Sequence, residues 1–283
     1  MRSHFISALA IFSLAVSLGL VAPRALTAGL PDKNLEAVVR SVIFEKKDKT
    51  DELTDEDLQK VFVLKGKGKG IKDLTGMEKC INLQELDLSK NEIADASPLK
   101  DIKNLQSLDL SHNKIGDATP IGSIAALQFL ELSDNEISSV EPLSKLSKLS
   151  ALYIAGNKIS DLAPLAKLER LSSLDLARNQ ISDLKPLTNV GILSLLKLSG
   201  NQISDISPLA KPLSLNMLLL ENNKLTDLAP FVEAVKKDAE GDKRFAPFLR
   251  LYLTGNPLSD TAKTAQIEAL KSAGVKVEFK QEK

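Results

Sequence analysis

The chain has 283 residues, 43% hydrophobic and 4% aromatic, with 37 basic side chains balanced by 37 acidic ones. Such balance argues against nucleic acid as a partner, which needs a strong basic excess. One cysteine, two histidines and no tryptophan exclude an internal disulfide and leave little from which to build a metal site or a histidine-based catalytic centre.

Residues 1–28 begin with the basic Arg2, run apolar from Phe5 to Ala22 and end in small residues, with Leu26 and Ala28 at the recognition positions for cleavage after Ala28. This pattern predicts a secretory signal peptide, with an uncleaved membrane anchor as the alternative. No other stretch is long and apolar enough to span a bilayer. Cleavage would remove Arg2 and Arg24 and no acid, leaving 35 basic and 37 acidic residues. The product is expected to be secreted or periplasmic, and without disulfides it must draw its stability from packing.

Residues 29–60 read as a helical cap. Leu35, Val38, Val39, Val42 and Ile43 recur at helical spacing within residues 32–45 and predict one apolar face. A second short helix is predicted from Thr54, with Asp57 as its capping-box acid. The cluster Asp51, Glu52, Asp55, Glu56, Asp57 lacks the alternating ligands and sixth-position glycine of a calcium loop, and is read as a solvated helix start. KGKGKG at 65–70 lacks the spacing of a phosphate loop. It fits a worn coil, with Gly66 in a leucine slot and Lys69 in an asparagine slot.

From residue 61 to 259 one pattern repeats. LQELDLSKNEIADASPLKDIKN, residues 83–104, recurs from Leu105, Leu127, Leu149, Leu171, Leu193 and Leu215 at a constant spacing of 22. An eighth copy starts at Phe248 after an insertion of 11 residues, and a worn copy runs from Val61 to Asn82. A fixed period in the twenties is the signature of a solenoid, here of nine coils. The leucines should point inward. Asn91, Asn113, Asn135, Asn157, Asn179, Asn201, Asn223 and Asn256 fall where the strand ends. A side chain that donates and accepts can satisfy the backbone groups that lose ladder partners there. Pro98 and its counterparts every 22 residues to Pro230 should turn the chain along the outer side. Asp95, Asp117, Asp161, Asp183, Asp205 and Asp227 stand just before them and can cap short helical turns. Cys80 occupies an apolar slot and is expected in the core.

In the insertion, about 231–247, Phe231, Val232 and Val235 are expected inward over one or two helical turns, with the charged remainder on the outer surface. Residues 260–283 should close the far end. A helix is predicted within TAKTAQIEALKSAG, with Ile267 and Leu270 inward and Gly274 as its stop, and a strand over VKVEF, residues 275–279.

The pattern L-x-x-L-x-L-x-x-N-x-I with a Pro-Leu ending resembles the leucine-rich repeat, in the 22-residue form found in internalins. The resemblance extends into LTDEDLQKVFVLKGKGKGIKDLTGMEKCINL, residues 53–83, which is similar to an internalin cap, and covers roughly residues 31–260. It implies an α/β solenoid: a horseshoe or arc with a parallel sheet on the concave face, a helical N-terminal cap and an α/β C-terminal cap. Nine strands about 4.8 Å apart would give a sheet roughly 40 Å long.

Strand side chains alternate, so the third and fifth positions of each repeat should face the hollow. The third positions are Glu85, Ser107, Phe129, Ala151, Ser173, Leu195, Met217 and Arg250, and the fifth are Asp87, Asp109, Glu131, Tyr153, Asp175, Lys197, Leu219 and Tyr252. Asp87, Asp109 and Glu131 should form a column of like charges, opposing folding unless a cation such as Lys90 offsets it. Phe129, Tyr153, Leu195, Met217, Leu219 and Tyr252 should be exposed in the middle and last parts, and such groups are enriched at interface cores. Ser111, Asp109 and His112 can be drawn as a triad but lie on one strand end, without an oriented base. The reading is an exported, non-enzymatic protein that binds another protein or peptide through its concave face, with no metal or cofactor. The alternative is a cell-envelope scaffold or glycan-binding protein, for which Tyr153 beside Asp175 is a minimal platform.

Overall fold

The computed structural model describes residues 29–280 apart from 191, 211–214, 242, 244 and 245. The predicted signal peptide lies outside these residues. The cap begins with α1 (Lys33–Val42). Asp32 precedes it and joins it to the first coil. Its Oδ1 accepts the N–H groups of Asn34 and Leu35 at 2.9 and 3.0 Å, and its Oδ2 those of Lys72 and Asp73 at 2.7 and 3.2 Å. Leu35, Val38, Val39 and Ile43 are buried as the helical spacing predicts, but Val42 is 46% exposed. A single helix stripe cannot turn five side chains inward when only one side meets the coil.

The short helix α2 (Asp55–Leu58) carries the predicted capping box. Thr54 Oγ1 accepts the Asp57 N–H at 3.2 Å, and Asp57 Oδ2 accepts the Thr54 N–H at 3.0 Å. Of the acidic cluster, Asp51, Glu52 and Glu56 are exposed as expected and Asp55 is half-buried. Asp57 is buried and pairs with Lys46 at 3.3 Å, and Lys46 also holds Asp51.

Strands of three residues follow, one per coil: β1 (Val63–Lys65), β2 (Glu85–Asp87) and β3 (Ser107–Asp109), then, after a one-turn helix α3 (Thr119–Gly122), β4 (Phe129–Glu131), β5 (Ala151–Tyr153), β6 (Ser173–Asp175), β7 (Leu195–Lys197) and β8 (Met217–Leu219). The insertion forms α4 (Ala229–Glu240), longer than the one or two turns expected. It starts at Ala229, after the N-cap Leu228, rather than at Phe231, and buries Phe231, Val232 and Val235. The chain then makes β9 (Arg250–Tyr252), a π-helical turn (Ala262–Gln266), α5 (Ile267–Ser272) and β10 (Lys276–Glu278). Ile267 and Leu270 are buried, and Gly274 ends the helix with φ +100°, a conformation that favours glycine.

All ten strands form one parallel sheet in chain order. The tenth comes from the predicted closing strand, so the sheet spans nine intervals, roughly 43 Å. Each coil turns its central strand leucine (Leu108, Leu130, Leu152 and their equivalents) fully inward. Burying each such side chain contributes about 1.5–3 kcal/mol relative to leaving it exposed. Cys80 lies in this core, and burial pushes its thiol up to about 12. In the worn coil, Gly66 is needed because the leucine slot is already filled: an added Cβ would lie 2.9 Å from Leu88 Cδ2 and 3.1 Å from Val38 Cγ1. In the last copy, Phe248 is 62% exposed and Leu249 is buried instead. After the insertion a 3₁₀ turn, Ala246–Phe248, leads directly into β9, and the leucine slot is taken one residue late.

The asparagines form the predicted ladder. Asn157 Oδ1 accepts the Ile137 N–H of the previous coil at 2.9 Å, and its Nδ2 donates to Leu132 and Ile154 carbonyls at 3.0 and 3.2 Å. Asn113, Asn135, Asn179, Asn201 and Asn223 repeat this arrangement. On the outer side, Asp95, Asp117, Asp161, Asp183 and Asp205 each accept the N–H two residues on at 2.8–2.9 Å, starting the proline-led turns.

Candidate binding surface

The strand pairing puts the third and fifth repeat positions into two straight columns on the concave side. In one, Val63, Glu85, Ser107, Phe129 and Ala151 stand in register; in the other, Lys65, Asp87, Asp109, Glu131, Tyr153, Asp175, Lys197, Leu219, Tyr252 and Glu278. All sixteen residues expected on this face lie in these strands. Their exposure is less even than alternation suggests. Phe129 is exposed, whereas Tyr153, Leu195, Met217, Leu219 and Tyr252 are half-buried and Asp175 is buried. Neighbouring rungs about 4.8 Å apart shade one another's side chains.

The acidic column is offset differently from the expectation. Lys90 makes no ion pair among the described residues. Lys65, in the worn coil, stands opposite Asp87 and pairs with Glu85 at 2.8 Å. Each acid is also bound to its own strand end: Asp87 accepts from Ser89, Asp109 from Ser111, and Glu131 from the Ser133 N–H at 2.8 Å. Asp175 pairs with Lys197 at 2.9 Å. Burial raises the Glu131 pKa; the Ser133 hydrogen bonds oppose that, and the charges of Asp109 and Asp175 add to it. The Phe129 and Tyr153 rings meet with centroids 5.5 Å apart at 48°, and the Tyr153 hydroxyl is 3.0 Å from Ser173 Oγ.

Beside these columns runs a row of left-handed residues that precede the ladder asparagines, including Lys90, His112, Asp134, Gly156 and Arg178. Arg178 Nη1 reaches across Gly156 to Asp134 Oδ1 at 2.7 Å, and His112 Nδ1 lies 3.5 Å from Asp134. Gly156 leaves the path open: its added Cβ would fall 2.2 Å from Asp134 Oδ1. His112 therefore faces Asp134, while the Ser111 hydroxyl donates to Asp109 at 2.7 Å. The histidine is not directed at that serine. Among the described residues no three His, Cys, Asp or Glu side chains converge as a metal site, and no helix is long and apolar enough to cross a membrane.

Sequence reading missed Val63, Lys65, Lys276 and Glu278 on this surface. The signal for the first two was present, since the same columns extend one repeat down into the worn coil. Residues 276–278 were read as closing the core, so their outward side chains were not added to the face.

The family model described as Leucine Rich repeats (2 copies) matches residues 81–123, 126–167 and 148–189. Internalin C2 from Listeria monocytogenes is 28% identical, over 88% of this chain and 94% of that one, with a TM-score of 0.65. A leucine-rich repeat protein from Leptospira interrogans is 26% identical over 73% of this chain and 50% of that one, TM-score 0.61. The functional domain of InlJ from Listeria monocytogenes shares the fold at 24% identity, over 83% of this chain and 53% of that one, TM-score 0.61. No curated protein sequence matches the chain significantly.

Proposed function

We propose that this internalin-like leucine-rich repeat protein is an exported, non-enzymatic binding protein that holds another protein or a peptide in its hollow. The observation that carries the reading is the uneven face itself. Its first half is acidic, and its middle and last parts present Phe129, Tyr153, Leu195, Met217, Leu219 and Tyr252. Apolar groups gathered on one concave surface mark interaction sites more than the same residues scattered. Solenoids use such extended concave surfaces for binding. The charge steering a basic region rests on Asp87, Asp109 and Glu131, because Glu85 is occupied by Lys65. A glycan platform at Tyr153 and Asp175 has less support, since the Asp175 carboxylate is held by Lys197.

The test is a cross-linking pull-down with residues 29–283 as bait against envelope and secreted fractions, beside a folded triple variant Phe129→Ala, Tyr153→Ala, Tyr252→Ala. A protein captured by the parent and lost by the variant is the expected result. Equal capture by both would move the site off the concave face. Export is checked separately by N-terminal sequencing of the product, expected to begin at Gly29.

A further inference from the structure

The cations that make ion pairs along the concave face pair with other acids, and Lys90 pairs with none among the described residues. Lys65 holds Glu85, Lys197 holds Asp175, and Arg178 holds Asp134. Asp109 and Glu131 are left between the Asp87 and Tyr153 rungs with no cation among the described residues. Glu131 is half-buried, and its hydrogen bonds among the described residues come from Ser133 alone, whose N–H donates to Oε1 at 2.8 Å. Directly beside it lie the exposed Phe129 ring and the Tyr153 ring, the latter fixed through its hydroxyl to Ser173.

Covering these rings with an apolar partner would desolvate two carboxylates without pairing them, which opposes binding. A cation avoids that cost. It is attracted to the face of an aromatic ring and to a carboxylate alike. Guanidinium suits both, because it is planar, weakly hydrated and presents a fork of N–H donors. Resting on the concave-face reading above, we propose that Asp109, Phe129, Glu131 and Tyr153 form one subsite for an arginine side chain of a basic protein segment, stacked on the rings with its N–H fork on Glu131. The partner then lies with its basic end over β3–β5 and its apolar part toward Leu195, Met217 and Leu219.

The probe is a synthetic peptide with three arginines, against the same peptide with neutral citrulline at those positions. With two tyrosines and no tryptophan in the chain, tyrosine emission and the NMR signals of the Tyr153 ring report binding directly. The arginine peptide is expected to shift both, and the citrulline peptide to shift neither. Phe129→Leu with Tyr153→Leu keeps the apolar surface but removes the rings, and should weaken binding about tenfold. Glu131→Gln should weaken it by a similar factor, whereas the outer-face variant Asp183→Asn should bind as the parent does. No response to the arginine peptide at millimolar concentration, equal binding of both peptides, or full binding by the leucine variant overturns the subsite. A pulled-down partner lost by the alanine triple variant, yet bound at full strength by the leucine variant and Glu131→Gln, refutes the subsite and leaves the concave-face reading standing. A partner indifferent to the triple variant removes both.

Discussion

Replacing Asn157 by alanine removes the side chain from the middle of the asparagine ladder, and the structure fixes what is left unpaired. The Leu132 carbonyl keeps the Asn135 Nδ2 at 3.0 Å, the Ile154 carbonyl keeps the Asn179 Nδ2 at 3.0 Å, and the Ala155 carbonyl keeps the Asp134 N–H at 2.7 Å. Only the buried Ile137 N–H, bonded to Asn157 Oδ1, loses its partner. One orphaned buried donor costs about 1–3 kcal/mol, so the expected loss is about 2 kcal/mol. Asn91, at the start of the ladder, has less redundancy: the Leu88 and Ser89 carbonyls keep other donors, but three groups do not. Its Oδ1 accepts from both Lys69 and Ile71 at 2.9 and 3.0 Å, and its Nδ2 serves the Gly66 carbonyl. Asn91→Ala should therefore cost more, about 3 kcal/mol or above. Urea unfolding followed by far-ultraviolet circular dichroism measures both. A loss below about 0.5 kcal/mol for Asn157→Ala, within the range of ordinary surface changes, would refute the ladder as a source of stability. Equal losses at the two positions would refute the redundancy argument.

Three further outcomes follow from individual groups. Glu131 has its pKa raised by burial first and by neighbouring charges, so its ionised form opposes folding above that raised value. Glu131→Gln should stabilise the protein at pH 7, and the advantage should vanish as the pH falls below the usual carboxylate range of about 4; an equal effect at both pH values would contradict this. Asp32 behaves oppositely. Burial would raise its pKa, but backbone N–H donors from Lys72, Leu35, Asp73 and Asn34 outweigh it and lower the value. Its stabilisation is full above the ordinary Asp range and is lost as the pH drops through the lowered value, so Asp32→Ala should cost about 1–2 kcal/mol at pH 7 and progressively less in acid. Cys80, with its thiol near 12 and its side chain fully covered, should resist a disulfide reagent at pH 8 until denaturant is added; rapid labelling of the folded protein would show the first coil to be open.

The sequence by itself determined the coil. Inward leucines, ladder asparagines, turn prolines and their capping aspartates depend on spacing within one repeat, and a repeat of constant length stacks in a single register. It also determined which columns face the hollow, because alternation in a short strand is local. Tertiary structure decided what each column does. Lys65 rather than Lys90 stands opposite the acids because pairing brings together residues 22 apart in the chain. Arg178 reaches Asp134 only because the intervening left-handed position is Gly156. Leu249 displaced Phe248, and Val42 turned outward, next to the insertion and in the cap, which lie outside the repeat pattern. The half-burial of Tyr153, Leu195, Met217 and Leu219 likewise comes from the flanking rungs. Periodicity fixes which way a side chain points; its partner and its exposure depend on side chains one and two coils away, and these differ from repeat to repeat.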